Sequence, residues 1–159
     1  MKLSSYPAEG FILISKMSES GLKKRGVITA IAIVKGDALI DNGGYADDAG
    51  AALAATFLGI AAESVDNSAG ASGAKDVMFY PGFPQNQFAV ACDTTLIAQT
   101  DIGELIDLGA DSSHVSPSTN VATGVAFVVD AIDVSAEAIA ADAQGFAIGH
   151  FEMGRAAQT

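Results

Sequence analysis

The two histidines of this chain are the first candidates for acid–base or metal chemistry. His114 ends the serine-rich segment DSSH, and His150 alternates with Ile148 in an apolar C-terminal segment. A zinc site needs three or four ligands, and neither histidine has a second ligand nearby in the sequence. We therefore interpret His150 as a packed or rim side chain and assign no metal to either histidine.

Cys92 is the single cysteine, so an internal disulfide is excluded. It lies in the apolar segment FAVACD, whose surroundings favour an unreactive core thiol over a nucleophile. The motifs GxSxG, HExxH and GxGxxG and the Walker phosphate loop are absent from the sequence. We predict no nucleophile and no phosphate-binding loop.

Carboxylates offer the remaining route to chemistry. Asp101 and Glu104 could form a glycosidase pair. Asp130 and Asp133 could form another, but acidic residues are so frequent here that chance explains both pairs. The segment 41–50, DNGGYADDAG, clusters the oxygen ligands that calcium prefers, but its spacing does not match an EF-hand and no bidentate Glu closes it. We predict no catalytic, cofactor-binding or metal-binding residue, and hence no enzyme.

Charge is distributed unevenly along the chain, whose net charge is −11. Residues 1–35 hold six basic and two acidic side chains, a net charge of +4, whereas residues 36–159 hold two basic and seventeen acidic ones, a net charge of −15. Such asymmetry is typical of a docking segment attached to a solvated body, although 23–25 could also be a simple polar turn. The candidate docking residues are Lys16, Lys23, Lys24 and Arg25.

The composition excludes several classes of protein. An acidic body repels phosphate backbones, so we expect no nucleic acid as a partner. Half of the residues are hydrophobic and 17% are charged, below the roughly 25% of an ordinary domain, which suggests a surface of small neutral residues suited to packing. The longest nearly apolar run, 49–62, is too short to span a bilayer, and no apolar export segment follows Met1. We expect synthesis in the cytoplasm of a host cell and no membrane association.

The stretch 56–80 organises the predicted elements. Apolar residues at 57–60 and 77–80 predict two strands, and the Asn, Ser and Gly residues of 66–73 predict a turn-rich connection between them. Further strands are predicted at 11–16, 27–34, 38–41, 88–93, 121–130 and 146–153. A loop is predicted at 41–50, and the prolines of 81–84 predict an edge or a loop.

Three segments carry a more specific prediction. VITAIAIV at 27–34 is apolar at both alternating positions, which indicates a central strand covered on both sides. FAVACD at 88–93 alternates between large apolar and small or polar residues, which indicates a strand with one buried face. Ser135 is a predicted N-cap for a short helix over 135–144, with Gly145 as its stop, and an irregular edge strand is the alternative for this segment.

Many short strands separated by Gly-rich turns predict an all-β fold, or a mainly β fold with one or two short helices. The expected architecture is a small antiparallel β-barrel or sandwich. We divide the chain into an N-terminal arm and basic turn (1–25), a single β domain (26–153) and a tail (154–159).

Four segments between residues 26 and 152 resemble the head decoration, or cement, proteins of tailed bacteriophages. These segments are VKGDALID, FLGIAAESVDNSAGASGAKDVMFY, QTDIGELIDL and ATGVAFVVDAID. The resemblance rests on a KGD turn, a GIA strand, an N-S-A-G-A-x-G loop and a Q-x-D-I-G turn before a strand. The basic N-terminal segment is less typical of that family.

The resemblance implies a tulip-like β fold and a non-enzymatic viral structural protein that stabilises the capsid by binding the lattice of the major capsid protein. It also implies a homo-oligomer, with a trimer favoured, on the outer surface of the virion. Two alternatives are a phage tail or fibre-base subunit, which shares the composition, and a free-standing surface β domain that binds a ligand. The absence of Trp weakens a carbohydrate ligand for the latter.

Overall fold

The computed structural model describes residues 1–6, 10–16, 21–53, 56–121 and 124–155, with the backbone described, but not the side chains, for residues 15, 16 and 153–155. These residues form thirteen strands, one α-helix and a 3₁₀ turn. The strands are β1 (Ile12–Lys16), β2 (Lys23–Gly26), β3 (Ala32–Ile33), β4 (Ala38–Asn42), β5 (Tyr45–Asp48), β6 (Phe57–Ala61), β7 (Val65–Asp66), β8 (Asp76–Pro81), β9 (Asn86–Ala91), β10 (Leu105–Leu108), β11 (Val115–Asn120), β12 (Gly124–Asp133) and β13 (Phe146–Arg155). The helix is α1 (Ala136–Ala141), and the 3₁₀ turn spans Gln99–Asp101.

The strand pairs are antiparallel and form two main sheets. The six-stranded sheet has the order β1-β9-β13-β12-β10-β11, and the five-stranded sheet has the order β2-β8-β6-β4-β5. β3 and β7 form a separate two-stranded pair. The prediction of a mainly β fold with a short helix is confirmed.

In the described part of the chain, each main sheet has one isolated parallel bridge between segments that are not neighbours in the strand order. Val27, which follows β2, bridges Ala46 in β5, and Cys92, which follows β9, bridges Val115 in β11. Because a bridge is not a ladder of hydrogen bonds, neither sheet closes into a barrel. Of the two predicted architectures, the structure is therefore the sandwich.

A cluster of Phe rings joins the two main sheets. Phe151 of β13 contacts Phe88 of β9 and Phe127 of β12, with ring centroids 5.6 and 5.2 Å away. It also contacts Phe57 of the five-stranded sheet at 4.5 Å and Phe11 at 5.4 Å. Each of these rings is at most 3% exposed. Burial of aromatic surface from both sheets is therefore the main contact that holds the sandwich together.

Residues 1–25, for which we predict an arm and a basic turn, include two strands and a segment that packs on a sheet within their described ranges. Leu3 is 7% exposed and Phe11 is 3% exposed. Leu3 and Tyr6 pack with Phe146 on the face of the six-stranded sheet that lies away from the Phe cluster. β1 joins the six-stranded sheet, whereas β2 joins the five-stranded sheet. The described part of the N-terminal segment thus belongs to the body of the protein.

The prediction of a central strand over 27–34 is wrong. Strand β3 is limited to Ala32–Ile33. The side-chain amide of Asn67, a residue that is 1% exposed, donates to the carbonyls of Val27 and Ile28 at 3.2 and 2.9 Å. The carbonyl of Val27 also accepts a hydrogen bond from the N–H of Gly73 at 2.9 Å. The start of the segment thus bonds to the 67–73 loop, and it folds as a loop in place of a strand of a continuous ladder.

The prediction of a loop over 41–50 is also wrong, because β4 and β5 form a hairpin. Asn42 pairs with Tyr45 across a two-residue turn. The turn residues Gly43 and Gly44 have φ angles of 61° and 92°, which a mirror-image hairpin turn requires and glycine adopts without strain. Of the residues that predicted a loop, Gly43 and Gly44 form the turn of the hairpin.

β9 and β11 differ from the predictions as well. β9 does not have the single buried face predicted for 88–93, because Ala89 and Ala91 are as buried as Phe88 and Val90. The N-terminal segment and α1 cover this second face. β11 has the sequence VSPSTN, whose polar residues and proline gave no strand signal; it lies at the edge of its sheet, where a proline is tolerated.

The structure confirms the elements with the clearest local signals. The stretch 56–80 forms β6 and β8, which pair with each other. Ser135 caps α1, since its hydroxyl oxygen accepts a hydrogen bond from the N–H of Ala138 at 3.3 Å. β1, β4, β12 and β13 overlap further predicted strands. β13 extends to Arg155, so the sheet includes the start of the predicted tail, and 156–159 lie outside the described residues.

We expect Phe151→Ala to lower the free energy of unfolding by roughly 3–5 kcal/mol, because it removes the ring that contacts both sheets and leaves a cavity between them. Denaturation in guanidinium chloride measures this change. Phe83→Ala is the matched control, since Phe83 is 44% exposed and its loss should cost less than about 1 kcal/mol. Equal losses in the two variants would contradict the role given to Phe151.

Candidate functional site

Three of the four candidate docking residues lie on one edge strand. Lys23, Lys24 and Arg25 belong to β2, the terminal strand of the five-stranded sheet, and lie opposite β8. Lys16 belongs to β1 in the other sheet, where its backbone pairs with Asn86. The side chain of Lys16 lies outside the described residues. The structure therefore brings three candidates together on one strand and places the backbone of the fourth in a different sheet.

The three basic side chains of β2 differ in how far they are neutralised. The Lys24 Nζ atom lies 3.4 Å from an oxygen of Asp76, and the Arg25 Nη1 atom lies 3.2 Å from an oxygen of Asp41. Both pairs are partly exposed, and surface pairs of this kind contribute about 0–1 kcal/mol. Within the described part of the chain, Lys23 makes no ion pair. Among the described residues, β2 thus presents one cation without an ion pair and two that are weakly held.

A groove with an apolar wall lies beside β2. Its cavity of about 350 Å³ is lined by the three basic side chains and by apolar side chains from β6, β8 and the loop after β8. Phe57 and Phe79 are buried, whereas Phe83 is 44% exposed. We call this surface the basic groove and define it by Lys23, Lys24, Arg25, Phe57, Phe79 and Phe83.

Asn86 holds the loop that carries Phe83. Its side-chain amide donates to the carbonyl of Pro81 at 2.8 Å, and its backbone N–H donates to the carbonyl of Phe83 at 3.0 Å. Asn86 is 1% exposed, so water does not compete for these hydrogen bonds. A Cβ atom at Gly82 would overlap the ring of Phe57, so glycine lets the loop pass close to the groove wall. The exposed ring of Phe83 is therefore carried by a well-supported loop.

Sequence reasoning finds the basic part of this groove but not its aromatic part. Charge asymmetry is enough to single out Lys23, Lys24 and Arg25. Phe83 gives one weak local signal, an aromatic residue between two prolines in the segment PGFP. The approach of Phe57 and Phe79 to this loop depends on the pairing of β6 with β8, which no local pattern specifies.

Ser113, His114 and Asp111 lie together but do not form a catalytic triad. The Nδ1 atom of His114 lies 3.1 Å from the hydroxyl of Ser113 and 2.9 Å from a carboxylate oxygen of Asp111. A triad uses both ring nitrogens, one for the nucleophile and one for the carboxylate. Here both partners meet the same nitrogen, and the hydroxyl of Ser113 donates directly to Asp111 at 2.7 Å. Burial would raise the pKa of Asp111, but these hydrogen bonds lower it, as expected of a structural carboxylate.

His150 is a rim side chain, 24% exposed, and it lies beside Asp130. Its Nδ1 atom is 2.8 Å from a carboxylate oxygen of Asp130. The side-chain amide of Gln87 donates to the same oxygen at 3.2 Å. The cluster thus contains one imidazole, one carboxylate and one amide, and two of these groups share a single oxygen of Asp130.

Cys92 is 2% exposed, and burial raises the pKa of its thiol to about 12. The thiolate, which is the nucleophilic form, is therefore not populated near neutral pH. The prediction of an unreactive core thiol agrees with this environment.

The acidic hairpin at 41–50 uses its carboxylates to hold its own backbone. Asp41 accepts a hydrogen bond from the N–H of Gly44 at 2.9 Å, and Asp48 accepts one from the N–H of Gly50 at 2.7 Å. Over the described ranges, no group of three or more His, Cys, Asp or Glu side chains is placed to hold a metal ion.

Asp133 anchors the N-terminal segment. Its carboxylate accepts hydrogen bonds from the backbone N–H of Leu3 at 2.7 Å and that of Ser135 at 3.0 Å. The hydroxyl of Tyr6 donates to it at 2.8 Å. Burial by itself would raise the pKa of Asp133, but these hydrogen bonds lower it to about 2. Asp133 also lines a cavity of about 420 Å³. Its carboxylate oxygens already accept hydrogen bonds from the protein itself.

Comparison with known proteins finds no matching family model, no matching curated protein and no matching solved structure. Among the helices of the described residues, none has the length and apolar character needed to cross a membrane.

We expect Asp133→Asn to make the stability of the protein less sensitive to acid. Because the folded-state pKa of about 2 lies below the ordinary value near 4, the ionised carboxylate stabilises the fold by roughly 2 kcal/mol above about pH 4. This contribution is lost as the pH falls from about 4 towards 2. Urea denaturation across this pH range should show the loss in the wild-type protein and not in the variant.

Glu104→Gln provides the control, since Glu104 is an exposed carboxylate. We expect this variant to keep the wild-type pH profile. An Asp133→Asn profile that matches the wild-type profile would contradict the anchoring role of Asp133.

Proposed function

We propose that this chain is a non-enzymatic structural protein that decorates a viral capsid and stabilises it by binding the lattice of the major capsid protein. The observation that carries the proposal is the basic groove, which places a cationic strand beside an exposed aromatic ring on an otherwise acidic protein. We take the kind of lattice, a phage capsid, from the resemblance of segments between residues 26 and 152 to phage head decoration proteins.

The side chains of the basic groove are of the kinds that bind other proteins. Arg and aromatic residues are enriched at the centres of protein interfaces, where they supply most of the binding energy. Phe83 offers apolar area that is already exposed, and Lys23 is a cation without an ion pair in the described chain. These side chains could be buried against a partner at little cost in broken internal contacts.

The charge of the rest of the chain supports a role at high local concentration. Residues 36–159 carry a net charge of −15, which discourages non-specific clumping before assembly. An acidic patch on a partner would be attracted to the lysines of β2 and repelled by the acidic rest of the protein. This difference would fix the orientation in which the two proteins dock.

Binding of this kind stabilises a shell by mass action. A protein that binds the assembled lattice and not its dissociated subunits shifts the equilibrium towards the assembled form. We extend the proposal to a homo-oligomer, a trimer in the simplest case, on the outer surface of the virion. Exposed apolar side chains far from β2 in the sequence, such as Ile102, Val134 and Ile139, offer further contact area for self-association.

Charge reversal tests docking better than truncation does. Deletion of residues 2–25 would remove β1, β2 and the core ring of Phe11, so loss of binding would report unfolding. Lys23 and Lys24 are exposed, and their replacement by Glu leaves the core unchanged.

We expect the double variant Lys23→Glu, Lys24→Glu to bind undecorated capsids roughly tenfold more weakly than the wild-type protein, because it reverses the charge of the groove. The measurement is co-sedimentation with expanded, undecorated heads assembled from the major capsid protein of the same genome. Lys35→Glu is the matched control, since Lys35 is exposed and lies outside the groove. Failure of the wild-type protein to sediment with the heads at any concentration would overturn the proposed function.

A further inference from the structure

We propose that the basic groove binds an extended acidic segment, which adds as a strand to the open edge of β2 and places an apolar side chain against Phe83. The identity of the protein that supplies this segment rests on the proposed function. The chemistry of the segment rests on the groove itself.

The first argument is the open edge of β2. This strand ends the five-stranded sheet, and over Lys23–Gly26 its strand partner in the described chain is β8. An edge strand presents backbone N–H and C=O groups that an extended peptide can pair with. The bridge between Val27 and Ala46 and the hydrogen bonds from Arg25 to Asp41 and to the carbonyl of Gly44 bring the β4–β5 hairpin to the C-terminal end of β2. The open part of the edge is therefore the end that carries Lys23 and Lys24.

The second argument is charge complementarity. Lys23 has no ion pair in the described chain, and the ion pair of Lys24 with Asp76 has a long, exposed geometry at 3.4 Å. Successive side chains of a strand lie on opposite faces, so a carboxylate on an added strand could bind the lysine on its own face without breaking a strong internal contact. The net charge of −15 on residues 36–159 repels an acidic segment from the rest of the protein, so the groove is the place where such a segment can bind.

The third argument is the apolar wall. A cavity of about 350 Å³ has room for an aromatic or large aliphatic side chain beside the partly exposed ring of Phe83. A segment of acidic residues without an apolar side chain would leave this wall in contact with water. The matching segment therefore alternates acidic and apolar residues, as an extended strand does when its two faces differ.

Lysines on an edge strand can also serve to prevent aggregation by discouraging edge-to-edge pairing. That role requires a polar edge and does not require an apolar cavity next to it. The exposure of Phe83 at 44%, on a loop that the buried Asn86 supports, favours a binding surface. The protective role is retained as an outcome of the test.

The test uses a fluorescein-labelled peptide with the sequence Glu-Val-Glu-Phe-Glu-Val-Glu and the full-length protein, with fluorescence anisotropy as the readout. We expect saturable binding at low salt that weakens as sodium chloride is added, because the contacts are exposed charges. Replacement of the glutamates by lysines should abolish binding. N-methylation of alternate backbone nitrogens, which removes hydrogen-bond donors from one edge of the peptide, should weaken binding roughly tenfold or more.

Variants of the protein locate the peptide. Lys23→Glu, Lys24→Glu and, separately, Phe83→Ala should each weaken peptide binding, whereas Lys35→Glu should not. Circular dichroism and the denaturation midpoint confirm that each variant is folded. Equal binding of the acidic and basic peptides, or unchanged binding by the groove variants, would overturn the proposal and leave the lysines with the protective role.

The outcomes for peptide and capsid separate the two proposals. Peptide binding without capsid binding would support the chemistry of the groove and overturn the proposed function. Capsid binding by a protein that does not bind the peptide would support the function and overturn strand addition at β2.

Discussion

Burial of the Phe cluster between the two sheets is the interaction on which the other features depend. Phe151 draws rings from both sheets together, and none of the five rings is more than 3% exposed. Phe57 belongs both to this cluster and to the wall of the basic groove. The position of the groove is therefore fixed by the same packing that holds the sandwich together, so the exposed residues of the groove can change without loss of the fold.

Local sequence patterns predicted the elements whose own residues determine their structure. Ser135 caps a helix because its hydroxyl reaches a backbone N–H three residues later, and the strands of 56–80 are bounded by turn residues. The structure of 27–34 could not be predicted in this way, because it depends on Asn67, which lies far along the chain. The side-chain amide of Asn67 donates hydrogen bonds to the carbonyls of Val27 and Ile28. β11 depends on its neighbour β10 for pairing and has no apolar pattern of its own.

The candidate site divides along the same line. A run of basic residues in an acidic chain is visible in the sequence, but it was expected to form a turn, and the structure has it in strand β2. Lys16 looked equivalent to Lys23 by charge, yet β1 and β2 join different sheets, which the seven-residue spacing between the two lysines does not reveal. The aromatic wall comes from β6, β8 and the loop after β8, so only the pairing of those strands brings it to the lysines.

The topology explains why a groove opens at this place. β1 and β2 are consecutive in the chain but lie in different sheets, and the same is true of β8 and β9. β2 pairs with β8, and β1 pairs with β9, so the chain passes twice between the sheets at the same end of these strands. Hydrogen-bonded pairing stops where the strands separate, and the loop with Phe83 spans that gap. The strand order thus produces the groove, because it leaves β2 at the edge of its sheet beside the loop of Phe83. The basic residues lie on that edge strand.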